Sequence, residues 1–321
     1  MAKHNDKSTF RNPSDWIDAT TIMRIKNLQL RAKTVVEGFY NGLHRSPYHG
    51  FSVEFSEHRQ YSWGDDLRHV DWRLLARTDR YFIKQFEDET NRRAYLITDF
   101  SRSMSYGSGE FPKIEYARTL AATLAYYFAM QRDNVGLFTF DESVIEFLPA
   151  RFRPGHFRRL LACLEHIPKG TGTDLAAPLE QAARLVKKRG LIIFVSDLLG
   201  SIDTLQESFG YLRARGHEVF VLRVLDPAEV DFPFDAAALF RDVESNREMF
   251  VDAATAREQY RQKFAAHDAA VAETCANLGI DYVTLTTEQP LDFALFELLA
   301  VQARQGRQVH RAIQGERGGS R

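Results

Sequence analysis

The chain has 321 residues, 44% of them hydrophobic, and its 42 Lys and Arg nearly balance 43 Asp and Glu. The length suggests about two domains, or one with a large elaboration, and a net charge of −1 gives no reason to expect a nucleic acid or an anionic membrane as partner. Cys163 and Cys275 form no CxxC pair, which argues against a zinc site or a disulfide framework.

The N-terminal sequence and the hydropathy pattern give no indication of membrane insertion. "MAKHNDKSTFRNPSDW" is polar and lacks the apolar core of a signal peptide, and no apolar run is long enough to span a bilayer. We therefore expect a soluble, cytoplasmic protein without a membrane span, and reduced cysteines fit that setting.

Residues 1–91 are predicted to precede the main domain. We expect a disordered tail over residues 1–13 and a helix and strand segment over 14–91, packed on the main domain. Ser14 is a candidate helix cap, and the apolar residues that follow have helical spacing. "FSVEF" (51–55) and "YFIKQFEDE" (81–89) have strand patterns.

From residue 92 the chain alternates between buried-strand patterns and helical patterns. Such alternation predicts an α/β fold, over residues 92–306, with a doubly wound, mostly parallel sheet. A β-hairpin is inserted at 239–252, and residues 307–321 are predicted to be a disordered tail. The predicted strands are 94–99, 134–141, 144–148, 191–197, 219–226 and 281–287. The predicted helices cover 116–128, 157–164, 175–186, 202–214, 260–278 and 291–304.

Side chains with oxygen atoms follow two of these strands. Asp99, Ser101 and Ser103 form a D-x-S-x-S pattern after the first strand, and Asp197 ends the strand of "FVSDLLG". Thr173 stands in the Gly-rich loop "GTGTDL". Ligands of open parallel sheets bind at the carboxyl ends of strands, and carboxylates and hydroxyls suit Mg²⁺ or Mn²⁺ better than zinc or copper. We therefore predict a metal site, with one coordination position open to a carboxylate from a protein partner.

Two alternatives remain open at this stage. Thr171 competes with Thr173 for the role of threonine ligand. Asp99, Ser101 and Ser103 could instead cap the next helix by accepting hydrogen bonds from its first N–H groups.

The order of these elements resembles the metal-ion-dependent adhesion site of von Willebrand factor A domains. The resemblance implies metal binding by Asp99, Ser101, Ser103, Thr173 and Asp197. The adhesion-type pattern usually has Asp-Gly where this chain has Asp197-Leu198, so the geometry around Asp197 is the point at which this chain departs from the pattern.

Residues from about 38 to 304 also resemble the bacterial "domain of unknown function 58" family, a group related to von Willebrand factor A domains. The resemblance rests on "GLHRSPYHGFSVEF", "RQYSWGDDLRHVDWRLLAR", "DFSRSM", "SDLLG", "DPAE" and "RDVESNREMFVDA". Members are typically encoded beside MoxR-type AAA+ ATPases and are thought to act with them in assembling or activating other proteins. Many members carry N-terminal transmembrane helices, and their absence from this sequence favours a cytosolic adaptor.

The segment "RQYSWGDDLRHVDWRLLAR" is dense in Arg and Asp. It could be a catalytic cluster, but we favour structural ion pairs or a docking surface, because His69 is its only candidate base. Trp63 and Trp72 could anchor the segment on the sheet or contribute to a partner surface.

These observations predict a non-enzymatic, divalent-metal-dependent protein-interaction module, acting as an adaptor or chaperone-like partner of a MoxR-type AAA+ ATPase. "GSGEFPK" (107–113) lacks the spacing of a P-loop, so ATP hydrolysis would come from the partner. One alternative is a metal-dependent hydrolase, for which no general base is evident. Another is a metal-free scaffold with a vestigial site. DNA binding through "RFRPGHFRR" (151–159) is less favoured, because no recognition motif accompanies this basic patch.

Overall fold

The structure, a computed structural model, describes residues 18–45, 58–60, 82–84, 92–166, 176–241 and 247–302. Contacts within the chain divide it into two units, one of residues 1–41 and 92–321 and one of residues 42–91. The predicted tails, Ser14, the predicted strand 51–55 and most of the Arg/Asp segment lie outside the described residues.

Two helices precede the sheet of the larger unit. They are α1 (Ala19–Met23) and α2 (Leu28–Arg45). The Asp18 side chain caps α1 by accepting a hydrogen bond from the Thr21 N–H, and Asn27 Oδ1 accepts one from the Leu30 N–H at the start of α2. The helical pattern of the sequence therefore forms two helices, with a break between Met23 and Leu28.

The smaller unit contains one described pair of strands. These strands, β1 (His58–Gln60) and β2 (Phe82–Lys84), are antiparallel. β2 lies within the strand predicted at residues 81–89, and the other residues of that prediction lie outside the described residues.

A six-stranded sheet forms the centre of the larger unit, in the order β10-β7-β6-β3-β4-β5. Its strands are β3 (Arg93–Asp99), β4 (Asn134–Phe140), β5 (Val144–Arg151), β6 (Leu191–Ser196), β7 (Glu218–Leu225) and β10 (Asp281–Thr286). All neighbours are parallel except β4 and β5. The predicted α/β class, with a doubly wound, mostly parallel sheet, is confirmed. The predicted hairpin is present as β8 (Ala238–Arg241) and β9 (Glu248–Val251).

Helices connect the strands, and each predicted helix is found. They are α3 (Lys113–Met130), α4 (His156–Leu164), α5 (Ala176–Leu185), α6 (Ile202–Ala214), α8 (Ala253–Asn277) and α9, which is helical over residues 291–302. Two short helical elements were not predicted: a 3₁₀ turn (Arg102–Ser105) and α7 (Pro227–Asp231). None of the described helices is both long and apolar enough to cross a bilayer.

The apolar core lies on both faces of the sheet. On one face, Phe140 stacks on Phe194 and Phe194 meets Phe209 of α6 edge-on. The alternate strand residues, such as Leu96 and Ile193, are equally buried and lie on the other face, since side chains alternate along a strand. Burial of each such side chain contributes about 1.5–3 kcal/mol, and this packing holds the strand ends in place.

Candidate metal centre at the carboxyl edge of the sheet

The predicted site lies where the chain reverses its direction across the sheet. From β3 the chain proceeds outward through β4 to β5, and it then returns to place β6 on the other side of β3. Open α/β sheets bind ligands at such a switch point, beyond the carboxyl ends of the strands. Asp99 is the last residue of β3, and Asp197 follows the last residue of β6.

Asp99 is fully buried, and both of its carboxylate oxygens accept hydrogen bonds. Oδ1 accepts from the Ser101 N–H at 2.7 Å, and Oδ2 accepts from the Ser196 hydroxyl at 2.6 Å. The first bond closes a turn over Asp99 to Ser101, and this turn directs the chain away from the sheet. Ser196 was not predicted as part of the site. It stands directly before Asp197 and holds the Asp99 carboxylate in place.

The two serines lie together beside Asp99. The hydroxyl oxygens of Ser101 and Ser103 are 3.1 Å apart and both residues are buried. Ser101 precedes the 3₁₀ turn but makes no side-chain capping bond, and α3 begins only at Lys113 with no side-chain cap. These side chains therefore do not cap the next helix, which removes the capping alternative.

The residue that follows Asp197 has an unusual backbone conformation. Asp197 Oδ1 accepts a hydrogen bond from the Leu199 N–H at 3.3 Å. Leu198 between them is fully buried and has a φ of 54°, in the left-handed region that glycine prefers. The adhesion-type pattern usually has glycine at this position, and Leu198 adopts a backbone conformation that glycine favours.

Lys113, like Ser196, is a residue at this edge that the sequence analysis missed. It is the first residue of α3, and its side chain is fully buried. Its ammonium lies 2.8 Å from Asp197 Oδ2 and 2.6 Å from Glu229 Oε1. The only signal in the sequence was a lysine shortly after a D-x-S-x-S pattern, and this carries no information about its partners until the fold is known.

Glu229 and Asp226 connect α7 to the same edge. They form a capping box, in which Asp226 accepts from the Ala228 N–H and Glu229 Oε2 accepts from the Asp226 N–H. Asp226 also accepts from the Ser108 N–H at 2.8 Å. The "DPAE" stretch therefore joins the loop before α3 to the end of β7.

Burial and mutual repulsion alter the acidity of these groups. Burial first, and the charge of Asp197 second, raise the pKa of Asp99 to about 7, although the bonds from Ser196 and Ser101 oppose the rise. Burial alone would lower the pKa of Lys113, but the charges of Asp197 and Glu229 outweigh it and raise that pKa. Lys113 is therefore a permanent cation at neutral pH.

Arg223 of β7 supports the loop that carries Asp197. Its guanidinium is fully buried and donates from Nε to the Asp197 carbonyl oxygen at 2.8 Å. Nη1 donates to Asp268 Oδ1 of α8 at 2.6 Å. Since a buried guanidinium has a fixed planar geometry, this contact fixes the backbone of Asp197 relative to α8.

These oxygen atoms fit a hard divalent cation on the side of Asp99. One buried carboxylate and two adjacent hydroxyls are the donors that Mg²⁺ or Mn²⁺ takes while retaining waters. Asp197 differs, because one of its oxygens is already paired with the Lys113 ammonium. Within the described ranges, no group of three or more His, Cys, Asp and Glu side chains is placed to hold a metal. Thr173 and its competitor Thr171 lie outside the described residues.

Comparison with known proteins identifies the family. Residues 57–273, more than half of the chain, match the family described as "Protein of unknown function DUF58". The chain belongs to the DUF58 family. A relative from Mycobacterium tuberculosis, an uncharacterized protein, is 29% identical over 270 residues, which is 83% of this chain and 84% of the relative.

Solved structures similar to this DUF58 chain include a von Willebrand factor A (VWA) domain. The conserved hypothetical protein BatB from Bacteroides thetaiotaomicron matches 66% of this chain and 99% of its own, with 17% identity and a TM-score of 0.46. The SpRpn10 VWA domain matches 64% of this chain and 94% of its own, with 12% identity and a TM-score of 0.41.

Proposed function

We propose that this DUF58 protein is a protein-interaction module that binds Mg²⁺ or Mn²⁺ at Asp99, Ser101 and Ser103. Thr173 and Asp197 are proposed as further ligands. The bound metal would supply a positive charge able to take an Asp or Glu carboxylate from a protein partner. The observation that carries the proposal is the buried group of carboxylate and hydroxyl oxygens at the switch point of the sheet.

The residues of the chain have separate roles in this proposal. Asp99 provides the negative charge, while Ser196 and the Ser101 N–H hold its carboxylate in one orientation. The adjacent hydroxyls of Ser101 and Ser103 provide neutral oxygen donors. With few charged ligands from the chain itself, the ion keeps enough net charge to attract a carboxylate from outside.

We further propose that the module is a non-enzymatic adaptor of a MoxR-type AAA+ ATPase in protein assembly or activation. The support is the family membership, together with the association of DUF58 proteins and such ATPases that the resemblance implies. The ATPase would supply the energy, and the module would hold the client protein through the metal.

Calorimetric titration with Mg²⁺ and Mn²⁺ tests the metal site. We expect saturable binding to the chelator-stripped protein, and Asp99→Asn should weaken it by about tenfold or more, because a neutral amide is a poor ligand for a hard cation. Asp133→Asn is the matched control: Asp133 is also buried, but it stands directly before β4, at the opposite edge of the sheet. Equal binding by wild type and Asp99→Asn would contradict the proposal.

A second experiment tests the use of the metal. We expect immobilised protein to capture a MoxR-type ATPase, or a client protein, in the presence of Mg²⁺. A chelator should reduce this capture. Asp99→Asn should reproduce the chelator result in the presence of Mg²⁺. Capture that is unaffected by both would show that the metal takes no part in the interaction.

One observation favours a second candidate, a scaffold that works without a metal. The Lys113 ammonium already neutralises Asp197 in the folded chain. A scaffold of this kind would bind its partner equally well in chelator, so the same capture experiment separates the two candidates.

A further inference from the structure

A buried ion triplet links three separate segments at the carboxyl edge of the sheet. Lys113 begins α3, Asp197 follows β6 and Glu229 belongs to α7. The Lys113 side chain has no exposed surface, and only 2% of the Asp197 side chain and 15% of the Glu229 side chain are exposed. Burying an ammonium is costly unless it is paired, and here two carboxylates pair with it.

The charge of Lys113 opposes that of any metal at the same edge. With Asp99 included, the cluster contains three carboxylates and one ammonium. The ammonium cancels part of the negative charge that would draw a cation, and it occupies Asp197 Oδ2. In a buried site with low effective dielectric, repulsion between an ammonium and a divalent ion is strong even at several ångströms.

We propose that Lys113 is a built-in counter-ion that competes with a divalent cation for Asp197, and so sets how strongly this edge of the sheet depends on metal. While Lys113 is paired, Asp197 is neutralised and the edge is stable without a metal ion. When Lys113 is removed, the cluster can be neutralised only by uptake of protons or of a cation from solution. This inference rests on the proposed metal site, but a separate variant tests it.

Lys113→Met gives the direct test, because Met has a similar length and no charge. In chelator, we expect a lower melting temperature than for wild type, since Asp197 and Glu229 lose their cation. Mg²⁺ should then raise the melting temperature of Lys113→Met by more than it raises that of wild type. In calorimetry, the variant should bind Mg²⁺ roughly tenfold or more tightly than wild type does, because the ammonium no longer repels the ion.

Glu229→Gln gives the opposite change, and keeps the proposal testable if Lys113→Met does not fold. Asp197 would then be the remaining carboxylate partner of the Lys113 ammonium in this triplet, and the two would pair more strongly. Mg²⁺ should bind about tenfold more weakly than to wild type. The matched controls are Lys33→Met and Glu37→Gln, which change the same charges in an exposed ion pair on α2 and should leave Mg²⁺ binding unaltered.

The outcomes separate this inference from the proposed function. Tighter Mg²⁺ binding by Lys113→Met supports the inference, even if wild type binds no Mg²⁺ and the resident metal of the proposed function fails. If wild type binds Mg²⁺ through Asp99 but Lys113→Met and Glu229→Gln bind it with unchanged affinity, the inference is overturned while the metal site stands. The inference is also overturned if Lys113→Met is less stable than wild type but Mg²⁺ raises the melting temperature of both proteins equally.

Discussion

Leu198 shows at the residue scale how the chain positions Asp197. A leucine with positive φ carries a strain of about 1–2 kcal/mol, because its Cβ approaches the neighbouring backbone. The side chain is fully buried in the core, and this burial offsets the strain. A leucine can therefore stand where glycine would be the unstrained choice.

Substitution of Leu198 separates the strain from the burial. Leu198→Ala and Leu198→Gly both lose the buried side chain, at a cost of about 2–5 kcal/mol. We expect the Gly variant to be more stable than the Ala variant by about 0.5–1 kcal/mol, because only glycine relieves the positive φ. Denaturant unfolding of both variants measures this difference.

Leu199 provides the control for that comparison, since it does not have a positive φ. There, Leu199→Gly should be less stable than Leu199→Ala, which is the usual order for the two residues. The same order at position 198 would show that the backbone there is not strained.

At the element scale, the residues of the β8 and β9 hairpin differ in how far they contact the rest of the domain. Leu239 is paired with Phe250, and both are largely exposed, at 60% and 73%. Phe240, on the alternate face, stacks on Phe232 and meets Phe234 edge-on. Phe240 therefore contacts the rest of the domain, whereas Met249, its paired residue on the same face, is 65% exposed.

Two phenylalanines in this hairpin should respond differently to truncation. Phe240→Ala should lower the free energy of unfolding by about 1–3 kcal/mol, because its two ring contacts and its burial are lost. Phe250→Ser should change it by no more than about 0.5 kcal/mol, because the ring is mostly in solvent. Denaturant unfolding of both variants is the measurement, and equal losses would show that the exposed face is also packed.

Helix α2 shows at the scale of the whole molecule that the larger unit begins well before its sheet. Phe39 is fully buried, and its ring lies 4.7 Å from that of Phe296 and 6.4 Å from that of Tyr127, measured between centroids. These partners lie in α9 and α3, so the core of the unit joins the start of the chain to its last described helix.

Phe39→Ala should therefore destabilise the unit that contains the sheet. We expect a loss of about 3–5 kcal/mol in the free energy of unfolding, as for a buried aromatic residue in a core. Leu30→Ala on the same helix is the control, because Leu30 is half exposed and should change stability by no more than about 0.5 kcal/mol. Similar effects of the two changes would mean that α2 contributes little to this core.

Much of this organisation could be predicted from the sequence. Buried parallel strands have continuous apolar runs, so β3, β6 and β7 were recognisable, and helical spacing marked α3 and α6. The rule that ligands bind at strand carboxyl ends brought Asp99, Ser101, Ser103 and Asp197 together in advance. The metal itself, the threonine ligand and the ATPase partner stay predictions.

The amino-acid sequence by itself determined the α/β class, the position of each strand of the central sheet and the oxygen side chains at its edge, because these follow from patterns of neighbouring residues. Only the tertiary structure decided that Lys113 meets Asp197 and Glu229, residues 84 and 116 positions away. It also decided that α2 packs on α9 and that Leu198 adopts a left-handed conformation. Such contacts depend on which segments the fold brings side by side, and local periodicity carries no record of that.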